Sequence, residues 1–418
     1  MDKIKIIGGK LLNGSIQVSG SKNAALPILI SSLLADGPCL FKKVPVLQDI
    51  RTTLKLLEHL GVETKSCLEA NEVQLNASKV HTTEAPYDLV RTMRASVVVL
   101  GPLLARFGKA KVSLPGGCAI GARPINYHLA GLERLGAEIQ LEGGYVLASA
   151  QKLKGNRVAF EFPSVGATEN IMMAAVLADG ESLLENCAKE PEIVDLARCL
   201  RAMGAQIEGE GTEVIRIQGK SSLVGCTYEI MGDRIEAGTF LAAGFATRGT
   251  VRVEGINPDV IEALLIKFEE AGATLTREAN AVIVRGGKRP LATDITTLPY
   301  PGFPTDMQAQ FMTVMAVADG ASVITETIFE NRFMHVPELC RLGADITIRG
   351  HTALVRGQAS LKGAPLMATD LRASASLVLG GLCAEGETIV SRIYHLDRGY
   401  EKMEAKLRSL GAEISRIH

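Results

Sequence analysis

A short phrase, a hydrophobic residue followed by Gly and a second small apolar residue, recurs six times along the chain and limits what it can fold into. In each copy a second glycine precedes the first by 23 to 28 residues. Two markers that keep step six times indicate six copies of one supersecondary unit. The glycines of the phrase, 68 to 75 residues apart, are Gly61, Gly136, Gly204, Gly272, Gly343 and Gly411.

Each copy carries the same sequence of elements. A helix that is apolar almost all round comes first, as in GTFLAAGFA, and such helices belong in the interior of a domain. A short strand, an amphipathic helix ended by the marker glycine, and strands with alternating polarity follow. The pattern predicts an α/β (α+β) fold in which buried helices are surrounded by sheets and outer helices.

The chain of 418 residues is too long for one ordinary core, so six units predict two domains of three units each. The sixth unit stops early, and the N-terminal segment KIKIIGGKLLNGSIQVSG resembles residues 214–232, which lead into the fourth unit. We therefore predict a first domain over 22–230 and a second over 231–418 completed by 1–21.

Composition excludes several classes of function. Lys plus Arg total 45 against 46 for Asp plus Glu, so no overall field attracts nucleic acid or an anionic membrane. The eight Cys form no CxxC pair, and the His show no metal-ligand spacing, so no metal or cofactor is expected. The N-terminal residues lack a signal-peptide pattern, and no apolar run is long enough to cross a bilayer. A cytoplasmic protein is predicted.

Polar residues gather where the buried helices are predicted to begin. Helix N-termini expose free N–H groups and attract anions, whereas an arginine there opposes the helix dipole. The alternative to a binding site is that these residues cap helices or form surface ion pairs. For Asp233 and Thr305 the two interpretations are equally good, because Asp and Thr are ordinary helix caps. The arginines favour an anion-binding site, because several local violations at equivalent positions point to function. Counting back 14 residues from each second glycine gives Asn23, Arg94, Gly166, Ile235, Asp306 and Arg372, and the starts of three amphipathic helices add Arg123, Arg332 and Arg398.

The segment SLPGGCAIGARP, residues 113–124, is a glycine-rich loop that contains Cys118. Its spacing matches neither a P-loop nor a dinucleotide-binding turn. The charge of Arg123 would favour the thiolate form of Cys118 and make this residue reactive. The alternative is that Cys118 is a small buried hydrophobic residue with no chemical role. His128 and His335 lie beside the arginine-bearing segments and are expected to support the site rather than react.

Motifs along the whole chain resemble the enolpyruvyl transferase family, in particular its members that act on a UDP-sugar. The segments that carry the resemblance are SGSKNAALPIL, TMRAS, LPGGCAIGARP, PSVGAT, GDRIEAGTF, FPTDMQAQF, ETIFENRFMHVPEL, TDLRASASLVL and IYHLDRGYE. The resemblance implies a two-domain fold of six units with substrates bound between the domains. It also implies transfer of the enolpyruvyl group of phosphoenolpyruvate to the 3′-hydroxyl of UDP-N-acetylglucosamine, with release of phosphate through a tetrahedral ketal, as the first committed step of peptidoglycan synthesis.

The resemblance also implies residue roles. Cys118 matches the general acid and Asp306 the base, with Lys22 and Arg398 also catalytic. Phosphoenolpyruvate would be bound by Lys22, Asn23, Arg123, Arg332, Arg372 and Arg398. UDP-N-acetylglucosamine would be bound by Arg94, Arg123, Pro124, Ile125, Asn126, Tyr127, Ser164, Val165, Gly166, Asp306 and Ile328.

Two positions differ from some relatives: this chain has Asn126 where they have Asp, and Phe162 where they have Lys. Whether these two side chains contact the nucleotide is therefore not decided by the resemblance. Two rival functions remain at this point. The shikimate-pathway transferase shares the fold but lacks the loop that bears Cys118. A non-catalytic protein that binds UDP-sugars would need neither Cys118 nor Asp306. No protein partner is predicted.

Overall fold

The computed structural model describes residues 2–91, 93–114 and 125–417. Their contacts form two compact units, one running from Gly20 to Met231 and the other combining the segment up to Ser19 with the chain from Gly232 onward. The domain boundaries expected from the sequence stay a prediction. The elements below are numbered along the chain.

Helices of the described residues fall into a buried set and an outer set. Their bounds are α1 Lys22–Ser31, α2 Gln48–Leu60, α3 Tyr87–Val90, α4 Leu100–Phe107, α5 Asn126–Arg134, α6 Val165–Ala175, α7 Pro191–Ala202, α8 Arg234–Ala246, α9 Glu262–Glu270, α10 Gln308–Ala316, α11 Val336–Arg341, α12 Leu371–Cys383 and α13 Met403–Ser409. Short 3₁₀ turns cover Ser32–Leu34, Leu68–Ala70, Ala77–Lys79, Arg94–Val99, Pro258–Ile261, Thr305–Met307 and Ile393–Arg398.

Strands are short and numerous. Their bounds are β1 Lys3–Ile7, β2 Asn13–Gln17, β3 Ala35–Asp36, β4 Pro38–Lys42, β5 Glu63–Cys67, β6 Glu72–Asn76, β7 Glu84–Ala85, β8 Lys109–Ser113, β9 Glu138–Glu142, β10 Tyr145–Ser149, β11 Arg157–Ala159, β12 Glu181–Glu185, β13 Gln206–Glu208, β14 Val214–Gln218, β15 Leu223–Val224, β16 Thr227–Glu229, β17 Thr250–Glu254, β18 Thr274–Glu278, β19 Ala281–Arg285, β20 Ile295–Thr296, β21 Ala321–Thr325, β22 Asp345–Arg349, β23 Thr352–Arg356, β24 Leu361–Lys362, β25 Pro365–Met367, β26 Ala384–Glu385, β27 Glu387–Ser391 and β28 Glu413–Ile417.

One sheet topology occurs six times among the described strands, three times in each unit. In every copy one edge strand runs parallel to its neighbour, and the remaining neighbours in the sheet are antiparallel. The sheets are β16-β4-β6-β5, β7-β8-β10-β9 and β11-β12-β14-β13 in one unit, and β18-β19-β17-β2, β20-β21-β23-β22 and β25-β27-β1-β28 in the other.

The N-terminal strands serve two different sheets. β1 pairs antiparallel with β27 and β28, with Ile6 opposite Thr388 and Ile414, while β2 runs parallel to β17. Residues 214–232 play the equivalent part in the other unit, since β14 lies in one sheet and β16 in another. The similarity of these two segments in sequence therefore reflects the same structural task.

The apolar helices are buried, as their composition predicts. In α8 every residue is buried, and Asp233 caps it by accepting hydrogen bonds from Ile235 N at 2.8 Å and Glu236 N at 3.0 Å. Close packing leaves no room at Gly244, where an added Cβ would lie 2.7 Å from the Val251 side chain. The three buried helices of one unit are α1, α4 and α6, and those of the other are α8, α10 and α12.

The six marker glycines end the amphipathic helices in the left-handed region, with φ between 92° and 101°. Gly61 shows the arrangement, because its N–H bonds back to carbonyls of the last turn of α2. Only glycine adopts this conformation without strain, which explains the sequence marker.

Two predicted helix starts were wrong in detail. Arg94 and Asp306 lie in 3₁₀ turns that precede α4 and α10, not in the first α-helical turn. Ahead of α4 the run Val97–Val99 is β-branched and Pro102 lacks an N–H donor, so the α-helix proper begins only at Leu100. Likewise, Arg332 and Arg398 lie before α11 and α13 rather than at their first residues.

No helix in the described ranges has the length and hydropathy needed to span a bilayer.

Candidate active site

The predicted site residues fall in both units. Cys118, Arg123 and Pro124 lie outside the described residues, as does the side chain of Arg94. The unit that begins at Gly20 carries Lys22, Asn23, Ile125, Asn126, Tyr127, Ser164, Val165 and Gly166. The other unit carries Asp306, Ile328, Arg332, Arg372 and Arg398.

Asp306 is the centre of the second group. Its 3₁₀ turn presents the carboxylate to two arginines from distant parts of the chain. Arg332 Nη2 donates to Oδ1 at 2.7 Å, and Arg372 donates to Oδ2 from Nε at 3.1 Å and from Nη2 at 2.8 Å. Both arginines are buried, with 6% and 3% of their surface exposed. The Asp306 side chain is 25% exposed. Charges this close form a strongly coupled group, in which removal of one partner leaves another uncompensated.

The protonation state of Asp306 follows from opposing effects. Burial alone would raise its pKa, but the charges of Arg372 and Arg332 and their hydrogen bonds outweigh burial and hold the pKa well below its ordinary value of 3.8. Asp306 is therefore a carboxylate at neutral pH. While both arginines bind Asp306, the affinity of its carboxylate for a proton is low.

Arg372 lies between Asp306 and Tyr400 at the start of α12. It is the second residue of α12, its guanidinium lies 5.5 Å from the ring centre of Tyr400, and no hydrogen bond among the described residues satisfies its Nη1 atom. Asp370 caps α12 by accepting from Arg372 N at 2.9 Å and Ala373 N at 3.0 Å. The capping carboxylate offsets the unfavourable position of a cation at a helix N-terminus.

Two histidines lie near this group. Burial lowers the pKa of His335 to about 4, with Asp370 opposing and Arg332 assisting the change, so His335 is neutral at physiological pH. Burial and the charge of Arg398 also lower the pKa of His395, while Asp370 raises it. Arg398 itself is half-buried at the end of its 3₁₀ turn. Arg398 and Asp370 are thus both near enough to His395 to influence its pKa.

Lys22 anchors the first group. It opens α1, which is capped by Ser21 Oγ, and its Nζ lies 3.4 Å from Asp49 Oδ2. Both side chains are largely buried, with 11% and 4% of their surface exposed. Asp49 belongs to α2 and compensates a cation that opposes the dipole of α1. Asn23 follows at the next position and is half-buried.

Two segments predicted to bind the nucleotide sugar, the Ser164–Gly166 turn and the start of α5, lie close together at His128. Ser164 caps α6 with an Oγ-to-Ala167 N distance of 3.4 Å, and Val165 and Gly166 form the first turn. A Cβ added at Gly166 would lie 3.3 Å from His128 Cε1, so the start of α6 adjoins α5, which carries Asn126 and Tyr127.

An amide fixes the orientation of His128. Asn170 Oδ1 accepts from Gly101 N at 2.7 Å, so its amide nitrogen faces His128 Nδ1 at 3.0 Å. Because that nitrogen is a donor, Nδ1 of His128 acts as the acceptor. This network ties α4, α5 and α6 together behind the Ser164–Gly166 turn.

Glu169 is a buried acid in α6. Burial and the charges of Glu192 and Glu190 raise its pKa well above 4.5. It is 6% exposed and is one residue from Thr168, whose Oγ1 accepts from Ala188 N at 3.1 Å. Burial thus favours the neutral form of Glu169 over its carboxylate.

Glu326 has no counterpart in the sequence-based predictions. It follows β21 directly and hydrogen-bonds to Thr305, the residue before Asp306. A single Glu after a strand gives no periodic or motif signal, and only its place within the motif ETIFENRF draws attention to it. Within the described ranges, no three potential metal-ligating side chains come together.

Comparisons with known proteins agree with this architecture. Residues 6–407 match the profile of the family described as EPSP synthase (3-phosphoshikimate 1-carboxyvinyltransferase). Among solved structures, the enolpyruvyl transferase NikO from Streptomyces tendae superposes with a TM-score of 0.89 at 24% identity, covering 99% of this chain and 98% of that one. EPSP synthase from Acinetobacter baumannii gives a TM-score of 0.78 at 20% identity, covering 100% of both chains. These likenesses confirm the predicted fold class.

Curated relatives are much closer in sequence. The UDP-N-acetylglucosamine 1-carboxyvinyltransferase of Geobacter metallireducens is 58% identical over 417 residues, covering 100% of both chains. The proteins of the same name from Trichlorobacter lovleyi and Myxococcus xanthus are 59% and 58% identical and cover 100% of this chain and 99% of theirs. The chain therefore belongs to the EPSP synthase family and, within it, to the UDP-N-acetylglucosamine 1-carboxyvinyltransferases.

Proposed function

We propose that this enzyme transfers the enolpyruvyl group of phosphoenolpyruvate to the 3′-hydroxyl of UDP-N-acetylglucosamine and releases phosphate, the first committed step of peptidoglycan synthesis. The observation that carries the chemistry is the ionised Asp306 between two buried arginines. The choice of acceptor is supported by relatives 58% and 59% identical over the whole chain.

The proposed reaction is an addition followed by an elimination. Cys118 donates a proton to the methylene carbon of phosphoenolpyruvate, and the sugar oxygen attacks the neighbouring carbon while Asp306 takes the hydroxyl proton. The product of addition is a tetrahedral phosphorylated ketal. The thiolate that the addition leaves on Cys118 takes a proton from the new methyl group as phosphate departs, which restores the carbon–carbon double bond as an enol ether and returns Cys118 to the thiol. The epoxide fosfomycin, which resembles phosphoenolpyruvate, would alkylate Cys118.

Phosphoenolpyruvate carries a carboxylate and a phosphate, which suit guanidinium and ammonium groups. We assign its binding to Lys22, Asn23, Arg123, Arg332, Arg372 and Arg398, with Lys22 and Arg398 also assisting the chemistry. Arg372 supports this assignment, because it is buried and has an unsatisfied Nη1.

Binding of an anion would also activate Asp306. An oxygen of phosphoenolpyruvate that takes hydrogen bonds from Arg372 or Arg332 competes with the carboxylate for those donors. The pKa of Asp306 would rise from its depressed value as the competition proceeds. Asp306 would therefore become a stronger base only when phosphoenolpyruvate is bound. Proton abstraction from the sugar hydroxyl would then depend on the presence of phosphoenolpyruvate.

The nucleotide sugar would contact the segments around α5 and α6, by Arg94, Arg123, Pro124, Ile125, Asn126, Tyr127 and Ser164 to Gly166, together with Asp306 and Ile328. Ser164 and Gly166 support this assignment, because they form the capped N-terminus of α6, a natural site for anionic groups. The cytoplasmic location stays a prediction from the sequence.

Phosphate release measured with purified enzyme tests the proposal. Release is expected only when phosphoenolpyruvate and UDP-N-acetylglucosamine are both present, and each substrate alone serves as a control. Release with 3-phosphoshikimate in place of the UDP-sugar would instead support the shikimate-pathway reaction. No release with either acceptor would refute the proposed function.

A further inference from the structure

Glu326 collects four hydrogen bonds at a buried position between the proposed catalytic turn and the proposed sugar-binding turn. It is 1% exposed. Its Oε1 atom accepts from Thr297 Oγ1 at 2.7 Å, Ile328 N at 2.8 Å and Phe329 N at 3.2 Å. Its Oε2 atom accepts from Thr305 Oγ1 at 2.9 Å.

The surroundings of Thr305 and Thr297 determine which atom donates in their hydrogen bonds to Glu326. Thr305 Oγ1 accepts from Arg332 Nη1 at 2.8 Å, so its own proton is directed to Glu326. Thr297 Oγ1 accepts from Thr327 N at 2.9 Å and likewise directs its proton to Glu326. Both oxygens of Glu326 must therefore accept, which a carboxylate does and an amide does with only one of its two atoms.

The hydroxyl of Thr305 links this carboxylate to the reacting group. Arg332 is held at Nη1 by Thr305 and at Nη2 by Asp306, and its guanidinium lies 5.3 Å from the ring centre of Phe329. Glu326 binds Thr305 through one oxygen and the backbone of Phe329 through the other. Glu326 thus contacts both Thr305 and Phe329, two of the residues that touch the Arg332 guanidinium.

We infer that Glu326 is a positioning residue: through Thr305 and Phe329 it orients Arg332 against Asp306, and through its backbone contact it fixes the turn that contains Ile328. The inference rests on the proposed function in so far as Arg332 and Ile328 contact substrates. A group that only stabilises the loop would alter unfolding without altering the orientation of Arg332.

Four variants isolate the relay. Glu326→Gln keeps the shape, but the donors around Oε1 force its amide nitrogen toward Thr305, whose proton then has no acceptor. Thr305→Val removes the hydroxyl, and Thr305→Ser retains it as the conservative rescue. Thr296→Val, at an exposed position in β20 outside these hydrogen bonds, is the matched control.

For an active wild-type enzyme, Glu326→Gln and Thr305→Val should each lower kcat by about 10-fold to 100-fold, the worth of a hydrogen bond to a charged group, with a smaller change in KM for phosphoenolpyruvate. Because both act through one relay, the double variant should be no worse than the poorer single one. Thr305→Ser should recover most of kcat. Strictly multiplicative losses, or no recovery with Ser, would overturn the inference.

Nitrogen NMR of the arginine side chains gives a readout that needs no activity. In the free wild-type protein, hindered rotation should give Arg332 separate, slowly exchanging Nη signals, assigned by their loss in Arg332→Lys. Glu326→Gln and Thr305→Val should average these signals, whereas Thr305→Ser and Thr296→Val should preserve them. Unchanged Arg332 signals in folded Thr305→Val would refute the positioning role. If the wild type proved inactive but the signals responded as expected, the proposed function would fail and the positioning of Arg332 would stand.

Discussion

Arg372 binds one oxygen of Asp306 with two donors, Nε at 3.1 Å and Nη2 at 2.8 Å, although 66 residues separate them in the chain. The fork leaves the second oxygen of Asp306 for Arg332. An anion that arrives at this site meets guanidinium groups already oriented by a carboxylate of the protein, and that carboxylate is the proposed base.

Replacing the fork by a single ammonium group should impair the reaction. Arg372→Lys is expected to lower kcat/KM for phosphoenolpyruvate by about 10-fold to 100-fold, because lysine cannot reproduce two parallel donors and loses a charge-assisted hydrogen bond. Steady-state kinetics decide, with Arg285→Lys at an exposed position as the control. Full activity of Arg372→Lys would show that this position is structural.

The pH dependence of kcat/KM should not report Asp306. Its depressed pKa keeps it ionised in the free enzyme above pH 5, so activity should not fall between pH 8 and pH 5 through protonation of this group. Asp306→Asn should lower kcat by about 100-fold or more, as expected for loss of a general base. An acidic limb in the wild type that disappears in Asp306→Asn would contradict the depressed pKa.

Variants at Lys22 and Asp49 should distinguish an effect on phosphoenolpyruvate binding from an effect on the free energy of unfolding. Lys22→Ala removes a proposed ligand of phosphoenolpyruvate and leaves buried Asp49 without this cation, so KM for phosphoenolpyruvate should rise and the free energy of unfolding should fall. Adding Asp49→Asn should restore stability in urea unfolding but not the KM. Arg398→Ala should raise the same KM. An unchanged KM in both variants would remove these residues from the binding site.

Glu169 should destabilise the protein as pH rises. Its folded pKa lies above the unfolded value of 4.5, so the folded state binds the extra proton and stability is lost as pH rises from 4.5 through the folded pKa. Glu169→Gln, which is neutral at every pH, should therefore be more stable than the wild type at pH 8, with the difference shrinking toward pH 4.5. Thermal unfolding at both pH values tests this, and equal melting temperatures at pH 8 would contradict it.

The sequence predicts the repeated architecture well because the repeats obey local rules. All-round apolar composition identifies helices such as α8, and the demand for a left-handed residue identifies Gly61 and its equivalents. The start of α4 was misplaced, because the 3₁₀ turn at Arg94 depends on packing as well as on propensity.

The site is predicted less completely because its contacts are not local. Asp306 and Arg372 could be named from their positions in the repeats, but their ion pair exists only in the folded unit. Glu326 acts through Thr305 and was missed, since a lone carboxylate carries no pattern. Cys118 lies outside the described residues, so its assignment as the general acid remains a prediction.

The most direct test of the central claim is identification of the product formed from phosphoenolpyruvate when UDP-N-acetylglucosamine and 3-phosphoshikimate compete in one reaction. Mass spectrometry and NMR should find the enolpyruvyl ether on the 3′-oxygen of the UDP-sugar, with one phosphate released per ether, and no modified shikimate. An enolpyruvyl group on 3-phosphoshikimate, or a UDP-sugar recovered unchanged while phosphate is released, would contradict the proposed function.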